Sequence, residues 1–187
     1  MKAARLCRRS QSGFTLIELI TVVAIVSILV SVGVPSLSEF LADQRVRTAA
    51  SDIMGDIAYA RAKAVENSRR VYLQRTGATW SGGWNIFVDL NDNAYNDGGE
   101  EQLKTFNGFP AGNLYACSPA ADFSGTVVFR PDGRIVRNAA VAANDGIYVI
   151  DTLGDNTDGN NKIRGILFGA SGRATVVKMN GAAPPCA

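Results

Sequence analysis

One run of residues constrains this chain more than any other. From Phe14 to Val34 there are 21 residues, and the only charge among them is Glu18. As an α-helix the run spans roughly 31 Å at about 1.5 Å per residue, the thickness of a bilayer's hydrocarbon core. The leader before it carries Lys2, Arg5, Arg8 and Arg9 and no acid. The positive-inside rule therefore keeps the leader cytoplasmic and sends the remainder across the membrane. A secretory signal peptide shares the basic start, but its apolar core is shorter, and no A-x-A cleavage site follows the run here. An ordinary signal anchor gives the same topology without accounting for Glu18. A carboxylate at a bilayer centre costs about 2.5–3.5 kcal/mol on insertion scales, less near an interface. If the leader is cut between Gly13 and Phe14, a new amine appears four residues before Glu18. In an assembly, one helix's Glu18 can then pair with a neighbour's amine, so that a buried charge marks register.

The segment GFTLIE (13–18), behind its short basic leader, resembles the type III signal of type IV pilins and type II secretion pseudopilins. The resemblance implies a prepilin peptidase that cuts between Gly13 and Phe14 and methylates the new N-terminus on Phe14. It also implies that Glu18 is the glutamate of the fibre core, and that Pro35 is the proline that breaks or bends the long pilin helix. Cys7 leaves with the leader.

Beyond Pro35, which removes one helical hydrogen bond and predicts a kink or restart, apolar residues recur at helical spacing. Leu37, Phe40, Leu41, Ala49, Ala50, Ile53, Ile57, Ala60 and Ala64 mark one face running to about Asn67. Asp43 and Arg47 stand four residues apart, a pair worth only tenths of a kcal/mol. The organisation that follows is a cleaved leader (1–13), a transmembrane helix (14–34), an amphipathic helix (35–67) and a β-rich globular body (68–187).

Candidate strands in the body are Arg70–Gln74, Trp84–Asp89, Gln102–Phe106, Thr126–Phe129, Arg134–Arg137, Gly146–Ile150, Ile163–Phe168 and Ala174–Lys178, most bounded by Gly, Asn, Asp or Pro. Two segments echo each other: VVFRPDGRIV (127–136) and ILFGASGRAT (166–175). Each reads as a β-hairpin in which Gly133 or Gly172 supplies a left-handed position. GGWNIFVDLNDN (82–93), VVFRPDG (127–133) and FGASGR (168–173), with the N-terminus, resemble the FimT/FimU and GspH-like branch of minor pilins and pseudopilins. The fold implied is the α+β pilin fold, a long N-terminal helix packed on an antiparallel β-rich body.

Without the leader, 15 basic residues face 17 acidic ones, so the net +2 says nothing of a basic body. There is no histidine, which removes the commonest general base and transition-metal ligand. No nucleophile–base arrangement stands out and no cofactor is implied, so the chain reads as a structural subunit rather than an enzyme. Cys117 and Cys186 are the cysteines left after cleavage, and outside the cytoplasm they are expected to form a disulfide that anchors the tail; free or intermolecular thiols are the alternative.

Two further features stay open. Asp89, Asn91, Asn93 and Glu100 sit at EF-hand spacing, but Ala94 stands where that loop needs glycine, so a solvated acidic turn competes with calcium; DTLGDNTDGNN (151–161) is a second such turn. Arg134, Arg164, Arg173 and Lys178 form a candidate DNA-binding face if the two Gly-Arg hairpins lie side by side. The resemblance to FimT-like proteins implies a C-terminal Gly-Arg-x-Arg element associated with DNA uptake, of which Gly172 and Arg173 match the first half and Thr175 departs; an ordinary solvated face is the alternative. Trp80 and Trp84 serve either base stacking or else the core or a subunit contact.

The implied role is a minor pilin in type IV pilus assembly, anchored in the inner membrane with its body in the periplasm, that primes or caps the filament. Its partners would be the prepilin peptidase, other minor and major pilins or pseudopilins, the inner-membrane assembly platform and membrane lipid. The alternatives are a GspH-like minor pseudopilin of type II secretion, or a pilus-associated DNA receptor in natural transformation.

Overall fold

A computed structural model of the chain describes residues 13–93, 96–110, 112–137, 145–151, 163–169 and 171–179. It begins with helix α1, Leu16–Asn67, 52 residues long. Thr15 starts it: its Oγ1 accepts the Glu18 backbone N–H at 3.3 Å and its carbonyl accepts that of Leu19, the arrangement of an N-cap. Pro35 lies inside α1 and does not end it, so the expected restart near Gly33–Pro35 does not occur. One missing hydrogen bond is a local loss that the turns on either side outlast.

Contact density divides the chain into two units, Met1–Glu39 and Phe40–Ala187. In the first, every described residue is exposed, and the helix is long and apolar enough to cross a bilayer. Its hydroxyls turn back on their own backbone. Thr21 donates to the Ile17 carbonyl at 2.6 Å, Ser27 to Val23 at 2.8 Å and Ser31 to Ile28 at 2.8 Å. Polar groups satisfied this way are tolerable in hydrocarbon.

In the second unit, α1 buries Ala42, Val46, Ala49, Ala50, Ile53, Ile57, Ala60 and Ala64. The apolar stripe thus starts at Ala42. Leu37, Phe40 and Leu41, expected on it, stay exposed. Among the described residues, eight strands follow in two four-stranded sheets, antiparallel throughout. The first has the order β3-β2-β1-β5 and the second β4-β6-β7-β8. The strands are β1 Val71–Arg75, β2 Trp84–Val88, β3 Glu101–Phe106, β4 Leu114–Cys117, β5 Thr126–Phe129, β6 Gly146–Asp151, β7 Ile163–Phe168 and β8 Ala174–Lys178. One apolar core joins the helix stripe to both sheets, through Leu73, Ile86, Val127 and Phe129 from one and Ile147, Val149, Ile166 and Phe168 from the other.

Two strand expectations need correction. Leu114–Cys117 is a strand the local pattern did not suggest, because its partner β6 begins 29 residues later in the chain. Arg134–Arg137 is not a strand; only Ile135 bridges back, to Phe129. There β5 is the outer strand of its sheet, and the chain leaves it when Arg137 turns inward to meet Asp145 at 2.8 Å and the face of Phe123 at 5.0 Å.

Both tryptophans are core residues. Trp80 donates to the Phe123 carbonyl at 2.9 Å, and Trp84 stacks on Phe106 with centroids 4.2 Å apart. Neither presents a stacking platform to solvent.

Candidate assembly interface

The N-terminal site begins on unconstrained backbone. Gly13 precedes the helix in open space: a Cβ placed on it would meet nothing within 4 Å. The fold therefore makes no demand for glycine here, and any such demand comes from whatever reads the sequence. Phe14 is three-quarters exposed. Glu18 lies in the first turn of α1, where a carboxylate faces the positive end of the helix dipole. Thr15 and Glu18 stand as Ncap and N3, the Ser/Thr-x-x-Glu spacing of a capping box. That role for Thr15 was legible in the residues and went unread.

Where the helix enters the body, it is held by charges. Asp43 accepts from Arg164 at 2.8 Å and from Arg47 at 2.7 Å. Arg45 reaches Asp151 at 3.0 Å, and the Asp151 side chain is fully buried. One turn pair was expected, Asp43 with Arg47; the other two contacts join residues more than a hundred positions apart and carry no local signal. Further along, Asp56 is buried at 4 % exposure. It accepts from Trp84 Nε1 at 2.8 Å and pairs with Lys104.

The four basic candidates do not form one surface. Arg164 is 7 % exposed and committed to Asp43, so it belongs to the interior and is unavailable to phosphate. Lys178 lies directly across from it on β8 and is exposed. Arg134 and Gly172, the residue before Arg173, meet at one junction. A Cβ on Gly172 would fall 2.6 Å from the Gly133 carbonyl oxygen and 3.0 Å from Arg134 Cα, so the two turns lie side by side. Gly133 (φ 75°) and Gly172 (φ 79°) are both left-handed, and the Gly133 carbonyl also accepts from Arg61 at 2.9 Å.

The acidic turn closes on itself. Asp97 accepts from the Gly99 backbone and from the Asn91 and Asn93 amides. Glu100 accepts from the Leu90 N–H at 3.1 Å and lies beside Asp89, which is buried near Tyr72. Asn91 and Asn93 thus turn towards Asp97 and not towards Asp89 and Glu100. Among the described residues no group of three acidic, cysteine or histidine side chains is placed to hold a metal. The second turn lies outside the described residues except for Asp151, as does Lys162.

The hydrogen bonds from Gly99, then Asn91 and Asn93, hold the Asp97 carboxyl below its ordinary pKa. Burial, then the Asp89 charge, raises that of Glu100 despite the bond from Leu90. The signs oppose. Asp97 favours the folded turn above the ordinary carboxylate range, and this contribution is lost as pH falls through its lowered pKa. Glu100 favours it below that range, and its contribution is lost as pH rises through its raised value. A carboxyl NMR titration is expected to give an Asp97 midpoint below the ordinary range and a Glu100 midpoint above it, with the Asn91 and Asn93 side-chain amides shifting at the Asp97 midpoint.

Cys117, at the end of β4, is disulfide-bonded; Cys186 lies outside the described residues.

Comparison with known proteins places these features in a family. The family described as type II transport protein GspH matches residues 49–164, and the prokaryotic N-terminal methylation motif matches residues 8–34. No curated protein matches the chain. Among solved structures it is similar to the type IV minor pilin FimU of Pseudomonas aeruginosa strain PAO1. One crystal form has a TM-score of 0.55 at 22% identity and covers 79% of this chain and 98% of that one. Another has a TM-score of 0.51 at 21% identity and covers 75% and 98%. These likenesses carry the fold: a long N-terminal helix on antiparallel sheets. With the match at 49–164 spanning well over half of its residues, and a methylation motif at its start, this chain belongs to the GspH family of pilin-like proteins.

Proposed function

We propose that the chain is a minor pilin of a type IV pilus, a structural subunit that primes or caps the filament. In this reading it is made as an inner-membrane precursor with its leader in the cytoplasm and its body in the periplasm. A prepilin peptidase cuts between Gly13 and Phe14 and methylates Phe14, and the subunit passes through the assembly platform into contact with other minor and major pilins. Glu18 then sets the register of α1 against a neighbour's N-terminus, and a Cys117–Cys186 disulfide ties down the tail.

The observation that carries the reading is the unequal use of α1. The helix contributes a buried stripe from Ala42 to Ala64, whereas each described residue before Ala42 is exposed although most are apolar. An apolar helical face of that length belongs in lipid or against other helices. The minor pseudopilin of type II secretion remains the second reading, favoured by the family that residues 49–164 match.

Counting surface pili by electron microscopy in a deletion strain tests the first reading. The expected result is a sharp drop, restored by the wild-type gene and not by Gly13→Ala. Because Gly13 has open space around it, that substitution leaves the fold intact and the precursor accumulates uncut. Normal pilus numbers with a loss of protein secretion would transfer the assignment to the secretion pseudopilus.

A further inference from the structure

We propose that the outer edge of β8 is a docking site for an extended, acidic segment of another protein chain, which adds to the second sheet as a fifth strand. In this sheet β8 is the last strand, and among the described residues nothing pairs with its outer side. The hydrogen bonds Gly169 N–H to Arg173 and Met179 N–H to Ile163 fix which groups face β7. With Ala174 opposite Phe168 and Lys178 opposite Arg164, alternation directs the N–H and C=O of Ala174, Val176 and Lys178 away from β7. An edge with three such residues in sequence is a template for strand addition.

The side chains of those residues share the face that α1 packs against, because Ala174 lies in the common core and strand side chains alternate. Beyond Ala174 that face opens into a groove between β8 and α1, lined by Met54, Ile57, Ala58 and Val65 and floored by Val176, which is 44 % exposed. A strand added to β8 would direct alternate side chains into this apolar groove. The edge is also preorganised, since the left-handed turn at Gly172 is seated on the Gly133 backbone.

Charge selects the occupant. Exposed Arg173 and Lys178 stand at the two ends of β8, with no ion-pair partner among the described residues. Arg61 adds a third cation on the opposite wall, while the nearby Glu66 is already paired with Lys63 at 2.9 Å. A second copy paired antiparallel about Val176 would set its Lys178 opposite Ala174 and bring two further cations to the site, with no acid for either copy's Arg173 or Lys178. An acidic strand avoids this and neutralises both ends. The site stands whether the filament is a pilus or a secretion pseudopilus.

The test is amide hydrogen exchange, followed by NMR, on the full chain in detergent micelles. The probe is the synthetic peptide Glu-Val-Thr-Val-Thr-Glu, and the control has lysine at both ends. The acidic peptide at saturation is expected to slow exchange at Val176 and Lys178 by about tenfold, with little change at Val177, whose N–H already faces β7. Val176→Pro removes one outward N–H and no bond to β7, and is expected to abolish the effect. Arg173→Glu with Lys178→Glu alters only exposed side chains and is expected to transfer the preference to the lysine peptide.

Equal slowing by both peptides, or none, overturns the proposal. Slow exchange of Val176 and Lys178 in the peptide-free monomer does so too, because the chain's own residues after Met179 would then hold the edge. Slowing that depends on protein concentration alone would assign the edge to a second copy, and protection by a short DNA duplex but not the peptide would assign the cations to phosphate; either result overturns it.

Discussion

Gly172→Val is expected to destabilise the body by about 4 kcal/mol, combining the strain of a β-branched residue in a left-handed conformation with forced overlap. Thermal unfolding of the full chain in detergent would show this as a midpoint lowered by roughly 8–16 °C. The overlap is with backbone: the new Cβ would lie 2.6 Å from the Gly133 carbonyl oxygen and 3.0 Å from the Ile135 nitrogen. Neither can move without disturbing the single bridge from Ile135 to Phe129. Gly133→Ala is the control. Its φ of 75° is nearly the same, but the nearest obstacle is the Arg61 side chain at 3.1 Å, which can yield. It is expected to cost only about 1–2 kcal/mol, the strain and the weakened Arg61 hydrogen bond together. Equal losses at the two glycines would mean that the turns do not press on each other.

Asp56→Ala is the second large effect, expected at about 2–4 kcal/mol in urea unfolding, from a charge-assisted hydrogen bond lost and a buried donor left without a partner. The loss has a particular source. Trp84 is buried and donates to Asp56 Oδ2, so truncation strands an indole N–H where water cannot reach it. Lys104 is half exposed and can return to solvent. Lys104→Ala leaves the Asp56 carboxylate buried with Trp84 as its donor and is expected to cost about 1–2 kcal/mol, less than Asp56→Ala. Asp56→Asn keeps an acceptor for Trp84 and is expected to fall between. If Lys104→Ala matched Asp56→Ala, the ion pair rather than the indole bond would carry the stability.

How much of this was legible depended on sequence distance. The apolar run from Phe14, the glycine before it and the helical spacing of Ala49 to Ala64 are local patterns, and the helix and the N-terminal site followed from them. The hairpin around Gly172 was equally readable, since turn and strands lie within sixteen residues. Arg164 was not. In IRGILF it looks like an outward cation on a strand, and only the chain's return to Asp43, 121 residues earlier, makes it internal. Asp56 was hidden for the same reason: on a helix with charges on its outer face, nothing local separates the one carboxylate that meets a tryptophan. Strand β4 is four residues long between Gly112 and Pro119, too short to show alternation, and its pairing with β6 exists only in the folded chain.

The charges on α1 also bear on mechanics. Asp43 is addressed to β7, Arg45 to β6, and Asp56 to the β2–β3 pair. A purely apolar stripe of alanines would let a helix creep along its bed, because one small side chain replaces another after each turn of about 5.4 Å. Here a one-turn slip would unseat all three charges at once. Under axial pull the segment Phe40–Asn67 therefore behaves as a keyed shaft: it holds its place up to a yield point and then fails abruptly, with no gradual slide before it.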